Sequence, residues 1–262
     1  MSVLILRLAG PLQSWGTASR HMTRSTLSHP TKSAILGLLA AAAGIDRDAD
    51  QAAGIHLADL HRLRFATRAD QPGQLLTDYH TVSGASHAPL TPTQQRLPTA
   101  NGGRLSPRDS TKITRRHYLA DAIFTAYLDG PPNTLTALAR AVQRPRYPLF
   151  LGRRSCPPSR PLLISYQHDT SLEHALAQTP WQAAEHEIRR HRTPTIQLTT
   201  VTDHPSGSDS LPDQPLPGAP LEQRHYTQRT VHHGHVTLPH PTITAPTQPS
   251  PHTVHDPFEL LD

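Results

Sequence analysis

Three features of the sequence predict an α+β fold. VLILRL at Val3–Leu8 is a short, β-branched apolar run closed by Gly10-Pro11, the pattern of a strand. SAILGLLAAAAGI follows a helix-start signal at Pro30-Thr31 and ends at Gly44, which predicts a helix over about Thr31–Ala43. A second helix, amphipathic and short, is expected at Leu135–Val142 behind a long strand, Tyr118–Leu128, with Asn133 or Thr134 as its cap.

Between these anchors, HRLRFATR at His61–Arg68 alternates polar and apolar residues, as a half-buried strand does, and LLTDYHTV at Leu75–Val82 is another strand candidate. The stretch Ser83–Ser110 is rich in Pro, Gly, Ser, Thr and Gln, has no periodicity and exceeds an ordinary loop. The order is β-α-β followed by β-β-α, which resembles a ferredoxin-like (RRM-like) unit with a long excursion, about 83–112, between its third and fourth strands. That unit is expected to occupy residues 1–160. A smaller, irregular β-containing part is expected at 161–240, with strands at Leu162–Tyr166 and Thr195–Val201, a helical turn at Leu172–Ala177 and a hairpin over Gln223–Leu238. Eleven prolines fall among the sixty residues from Asp203 to Asp262, and 241–262 reads as a disordered tail.

Composition excludes several classes. The chain has 262 residues, 35% of them hydrophobic, and its 27 prolines and 19 histidines displace apolar content. The longest apolar stretch, Ala34 to Ile45, is too short for a transmembrane helix. MSVLILRLAG lacks the charged and apolar regions of a signal peptide, so a cytoplasmic location is expected. A single cysteine, Cys156, excludes an intrachain disulfide framework and any Cys-based zinc finger; no activating pattern surrounds it, and it reads as a packed residue.

Charge points to a partner. Net charge is +5, and Arg supplies all the basic residues except Lys32 and Lys112. Tyr79–Tyr118 carries six Arg/Lys against Asp109 alone, and Arg140–Arg160 carries six Arg and no acid, so the rest of the chain is net acidic. Segregation of this kind is the electrostatic footprint of a nucleic-acid face, the alternative being two solvated faces that bind nothing.

Five segments together resemble a known family: LRLAGPLQSWG (Leu6–Gly16), PTKSAILGLLAAAAGI (Pro30–Ile45), TDYHTV (Thr77–Val82), RRHYLADAIFTAYL (Arg115–Leu128) and RPRYPLFLGRRSCPP (Arg144–Pro158). They look like Cas family five of the RAMP superfamily, in its type I-E branch, and occur in family order across residues 3–160. The resemblance implies a ferredoxin-like RAMP domain bearing a long β-hairpin thumb and a smaller C-terminal part. It further implies a non-catalytic subunit of a CRISPR Cascade complex in antiviral defence, one that caps the 5′ handle of the crRNA. The implied partners are the crRNA, the backbone subunit CasC, the large PAM-reading subunit CasA and, through the complex, target DNA, with no membrane and no cofactor. Beyond Arg160 the Pro/His-rich end departs from the family pattern.

Candidate RNA-binding residues follow the basic windows and the motifs. Gln13 and Trp15 sit in the Gly10–Gly16 loop, where an amide can hydrogen-bond a splayed base and an indole can stack on one; otherwise Gln13 is a turn residue and Trp15 core. Arg20 and Arg24 precede the first helix and Lys32-Ser33 opens it, an arrangement suited to phosphate, or simply a capped helix with a solvated lysine. Lys112, Arg115 and Arg116 lie in and after the excursion, where a basic hairpin can lie over an RNA backbone. Arg146, Tyr147, Arg153 and Arg154 form the densest cluster, with Gly152 allowing close approach to a phosphate.

A catalytic alternative is a metal-independent endoribonuclease processing pre-crRNA, built on Tyr79-His80 with His117 and Lys112. Against it, Tyr79 reads as a buried strand residue and His80 as structural. His232, His233 and His235 have no Cys or carboxylate at ligand spacing and read as a polar linker rather than a metal site.

Overall fold

A computed structural model describes residues 2–16, 22–46, 51–83, 99, 101–105, 111–215 and 226–243. The protein mixes α and β structure and is strand-dominated. In chain order its elements are β1 (Ser2–Ala9), β2 (Leu12–Gln13), β3 (Thr23–Arg24), α1 (Lys32–Ala43), β4 (Gln51–Ala52), β5 (Ile55–His56), α2 (Leu57–Arg62), β6 (Arg64–Gln71) and β7 (Gln74–Ser83). They continue with β8 (Thr111–Ala120), β9 (Ile123–Gly130), α3 (Pro132–Gln143), β10 (Leu163–His168), α4 (Leu172–Gln178), α5 (Glu185–Arg190), β11 (Thr195–Asp203), β12 (Asp209–Pro215) and β13 (Tyr226–Pro239).

Seven strands form the main sheet in the order β10-β1-β9-β6-β11-β13-β12, every neighbour antiparallel. Strand β1 lies inside it and is buried on both faces, which is why VLILRL reads as a continuous apolar run instead of alternating. Leu4, Leu6 and Leu8 join Phe65, Phe124 and Leu128 beneath α1 and α3, while Val3 and Ile5 join Ala66 and Tyr127 beneath α4. The strands after residue 195 continue this same sheet: β11 pairs β6 through Thr200↔Arg68 and Thr202↔Ala66, and β13 pairs β11 from Thr195↔Pro239 to Asp203↔Val231.

A second, smaller sheet stands on β8. Its partners are β2 (Leu12↔Ala120), β3 in parallel (Thr23↔Arg115, Arg24↔Arg116) and β7, which runs antiparallel from Gln74↔Ala120 to Ser83↔Thr111. The expected excursion at 83–112 therefore leaves and returns along paired strands, and its residues 84–98, 100 and 106–110 lie outside the described residues. So do Arg20 and the expected tail from residue 244 onward.

Helix α1 forms as expected: the Thr31 hydroxyl accepts the Ala34 N–H at its start, and Gly44 ends it in the left-handed region at φ 79°. Several expectations need correction. His61 and Arg62 belong to α2, and the strand starts only at Arg64. Tyr118–Leu128 is not one strand: Asp121, at φ 55°, turns the chain between β8 and β9. Helix α3 opens on Pro131-Pro132, not on an Asn133 or Thr134 cap, because proline at the first turn needs no N–H partner. Gln223–Leu238 makes no hairpin; β13 is one fourteen-residue strand between β11 and β12. The histidines assigned to a linker thus sit in a strand. Strand β12 was hidden by its prolines, which an edge strand with a register shift between Leu211 and Gln214 accommodates.

Two buried ionic groups hold the sheet to its surroundings. Arg68 and Asp70 pair at 2.8 Å with both side chains fully buried; Arg68 also donates to the carbonyls of Leu176, Thr179 and Pro180, and Asp70 accepts from Thr125 and the Gln182 N–H. At the start of α1, Asp213 accepts the Lys32 backbone N–H at 2.7 Å and the Arg229 guanidinium, and Asp203 takes the Lys32 ammonium at 3.0 Å, Arg229 and the Phe65 N–H.

Beside that second group, His29 faces His233, Asp213 and Arg229. Burial, reinforced by His233 and Arg229 and opposed by Asp213, pushes its pKa down from 6.5 to about 4. A depressed histidine pKa means that the unfolded chain binds the proton first as pH falls. The contribution of His29 to stability is thus complete above about pH 6.5 and falls by about 3 kcal/mol as pH drops toward 4. Urea unfolding across this window should show that loss in the wild-type chain and a flatter profile in His29→Phe.

Candidate nucleic-acid interface

Three irregular segments meet at the N-terminal end of α1: the loop around Ser14–Gly16, the strand β3 with Ser25, and the loop 148–158. They enclose a cleft of about 270 Å³ lined by Ser14, Gly16, Arg24, Ser25, Thr31, Ser33, Ala34, Gly152, Arg153 and Tyr226, none of them a carboxylate. Hydroxyls, backbone amides and guanidiniums around a space with no carboxylate among its described lining residues suit an anion.

Arg153 organises this cleft. Its guanidinium donates to the carbonyls of His117 (3.2 Å), Arg24 (2.9 Å) and Ser25 (3.4 Å), and it lies 4.7 Å from the centre of the Tyr118 ring. Carbonyls absorb its N–H bonds without cancelling its charge, so the residue ties loop, β3 and β8 together while remaining a cation at the cleft. Parallel pairing places Arg115 and Arg116 beside Thr23 and Arg24. Arg115 is exposed, Arg116 is half-buried with its Nε donating to Thr114 Oγ1, and Arg154 is exposed next to Arg153. Cys156 is fully buried beneath the loop, and burial pushes its thiol pKa up, as suits a packed residue.

The remaining candidates fall elsewhere. Gln13 and Trp15 are fully buried: the Gln13 amide donates to the carbonyls of Leu8 (2.9 Å) and Ala122 (2.6 Å), and Trp15 sits in the main core. Neither offers a face to a base, because the loop folds inward onto β1 and β9. Lys32 is buried as well, and the anions at the start of α1 are the chain's own Asp203 and Asp213. Ser33 does line the cleft, half-buried, with its hydroxyl 3.4 Å from that of Thr31. Gly152 does allow a close approach, but to this chain: at φ +85°, a Cβ on it would lie 1.8 Å from the Ser14 carbonyl oxygen.

Arg146 is exposed, its aliphatic stem against Gly44 at the C-terminal end of α1, where a cation complements the helix dipole. Tyr147 is 38% exposed and its hydroxyl donates to Asp46 at 3.4 Å. Lys112 pairs Val82 on the arm of β8, and its side chain lies outside the described residues.

A family model described as "CRISPR-associated protein (Cas_Cas5)" matches residues 3–232. The chain belongs to this CRISPR-associated family. A curated member, "CRISPR system Cascade subunit CasD" of Escherichia coli (strain K12), is 39% identical over 174 residues, covering 62% of this chain and 70% of its own length. Among solved structures, one described as "CRISPR RNA-guided surveillance complex" matches with TM-score 0.73 and 30% identity over 94% of each chain. Another, "Crystal structure of Cas protein", matches with TM-score 0.63 and 31% identity, over 93% of this chain and 98% of the other.

Within this Cas_Cas5 chain the catalytic candidates are dispersed. Tyr79 and His80 are successive residues of β7 and point to opposite faces, and Tyr79 is 60% exposed rather than buried. His117 shares the Tyr79 face but its Nδ1 is 3.0 Å from Thr77 Oγ1. His233 Nε2 lies 3.3 Å from Asp209, and among the described residues no three His, Cys, Asp or Glu side chains are grouped to hold a metal. No helix among them is long and apolar enough to cross a membrane. Sequence reasoning missed Ser25 and Tyr226; the latter lines the cleft only because β13 packs onto the sheet, which no local pattern signals.

These placements separate structural from binding roles. Lys32→Gln should lower the unfolding free energy by about 2 kcal/mol, read by urea titration, because it leaves Asp203 without one of its two cationic partners. Gly152→Ala should cost about 3 kcal/mol or more, read by thermal melting, because both its backbone angle and the Ser14 carbonyl oppose a side chain.

Proposed function

We propose that this chain is the non-catalytic RNA-binding subunit of a type I-E CRISPR Cascade complex acting in antiviral defence. In that role it caps the 5′ handle of the crRNA and links the CasC backbone to the large subunit CasA. The observation that carries the reading is the cleft that brings Arg24, Ser25, Ser33 and Arg153 together, with Arg115, Arg116 and Arg154 next to it in register or sequence. Membership of a CRISPR-associated family and likeness to a Cascade subunit support crRNA as that RNA.

The order β10-β1-β9-β6, with α1 and α3 over one face, supports a ferredoxin-like core for the first part of the chain. The paired arms β7 and β8 support a thumb that leaves that core. On those arms Arg115 stands directly opposite Tyr79, an exposed cation beside an exposed ring, a combination suited to single-stranded RNA. The endoribonuclease reading is not favoured, since Tyr79 and His80 point to opposite faces of β7 and His117, on the Tyr79 face, has its Nδ1 3.0 Å from Thr77 Oγ1.

Salt dependence tests the reading. Arg115→Gln and Arg154→Gln should each reduce the slope of log affinity against log salt by about 0.7, the effect of one lost contact to a single strand. Wild-type slopes in both variants would remove the arginines flanking the cleft from the RNA interface and overturn the reading. Labelled repeat RNA incubated with the chain in EDTA should stay intact; specific cleavage lost in Tyr79→Phe would replace the scaffold reading with the enzymatic one.

A further inference from the structure

Helix α1 has an outer face that the fold does not explain. After Lys32-Ser33 its sequence is AILGLLAAAA, without one polar side chain, yet Ala34, Ala40 and Ala41 are only partly buried and Gly37 is exposed. A helix apolar all round is ordinarily covered all round. Gly37 is stranger still. A Cβ built there meets nothing within 4 Å, its φ is not positive, and glycine inside a helix costs about 1 kcal/mol relative to alanine. Nothing within the described chain needs this glycine, and what it provides is open space above the helix.

That space is the floor of a groove of about 610 Å³. Tyr147-Pro148-Leu149-Phe150 forms one wall, Leu57 and Tyr226 line it too, and Asp46 adds a carboxylate. The rings at its mouth are available: Tyr226 is 57% exposed and Tyr147 is 38% exposed. Ala34, Gly152 and Tyr226 line both this groove and the cationic cleft, so the two spaces are continuous. A ligand spanning them presents negative charge at one end and a flat apolar body at the other.

We infer that the groove over Gly37 is a base-binding subsite, in which one unstacked nucleobase of the strand held in the cleft lies over the helix between the tyrosine rings. This rests on the RNA-binding reading above and adds to it where a base, not a phosphate, is gripped. A base is flat enough to lie on a glycine and stacks on an aromatic side chain whatever its sequence. The exposed apolar floor and the adjoining guanidiniums together match a nucleotide; an apolar peptide would leave the cationic end without a counterpart.

The test uses the full chain and a single-stranded RNA of the 5′ handle sequence, together with the same RNA carrying an abasic site at each position in turn. Gly37→Leu projects a side chain into the groove from a Cβ that meets nothing within 4 Å and, by helix propensity, should melt no lower than wild type. Tyr147→Ala removes one ring by a separate route. Each variant should weaken handle binding about tenfold with the salt slope unchanged, as loss of one stacked base does. At one position, the abasic RNA should bind wild type and both variants alike. Wild-type affinity in both variants, or no abasic position that removes their defect, overturns the subsite; so does a fall in salt slope, which would place phosphate contacts in the groove. Wild-type binding that does not depend on salt would instead sink the underlying RNA reading, and the two failures are thereby distinct.

Discussion

The pairing of Asp203 and Asp213 with Lys32 and Arg229 is the constraint on which the rest of the molecule depends. The four residues come from α1, β11, β12 and β13, and all are buried or nearly so. Each charge taken from water is matched by an opposite one and by backbone N–H groups, the condition for burying ions without a large penalty. The network fastens the last three strands against the helix and β6, where Arg229 also lies 5.5 Å from the Phe65 ring centre. It also takes the Lys32 N–H at the helix start for the chain's own Asp213. The positive charge of the cleft comes from arginines on β3 and the 148–158 loop.

Arg153 gives that arrangement its rigidity. A guanidinium has donors in a planar fork, and here they reach carbonyls on two different strands while its flat face covers Tyr118. A lysine has neither the fork nor the face. The same side chain is a structural brace and part of the electrostatic surface because its partners are dipoles, not carboxylates. The close packing of Gly152 on Ser14 brings the loop near enough for the brace to span the gap.

Where local chemistry was sufficient, the elements were legible. The α1 boundaries follow from a threonine cap, an uninterrupted apolar run and a glycine stop, and the structure has all three. Strand β7 and the acid-poor windows were equally readable. The strand end of Tyr118–Leu128 was not, because an aspartate in the left-handed region interrupts a run with no proline or glycine to mark it. Histidine-rich β13 and proline-bearing β12 have compositions of linkers, and pairing with β11 makes strands of them. Gln13, Trp15 and Lys32 show the same limit at the level of the site. Amide, indole and ammonium groups serve RNA and protein interiors equally well, and which they serve here depends on Ala122, on the main core and on Asp203, distant in sequence.

By itself the sequence determined the kinds of segment, their order along the chain, the concentration of arginine in two windows and the family these motifs mark. Tertiary structure alone decided that Lys32 and Arg229 meet carboxylates while Arg153 donates to carbonyls, and that Tyr226 and Gly152 line one cleft. The reason is physical. Propensity and hydrophobic period act over a few residues, whereas the fate of a charged or amphipathic side chain is set by what the folded chain brings within about 3 Å of it.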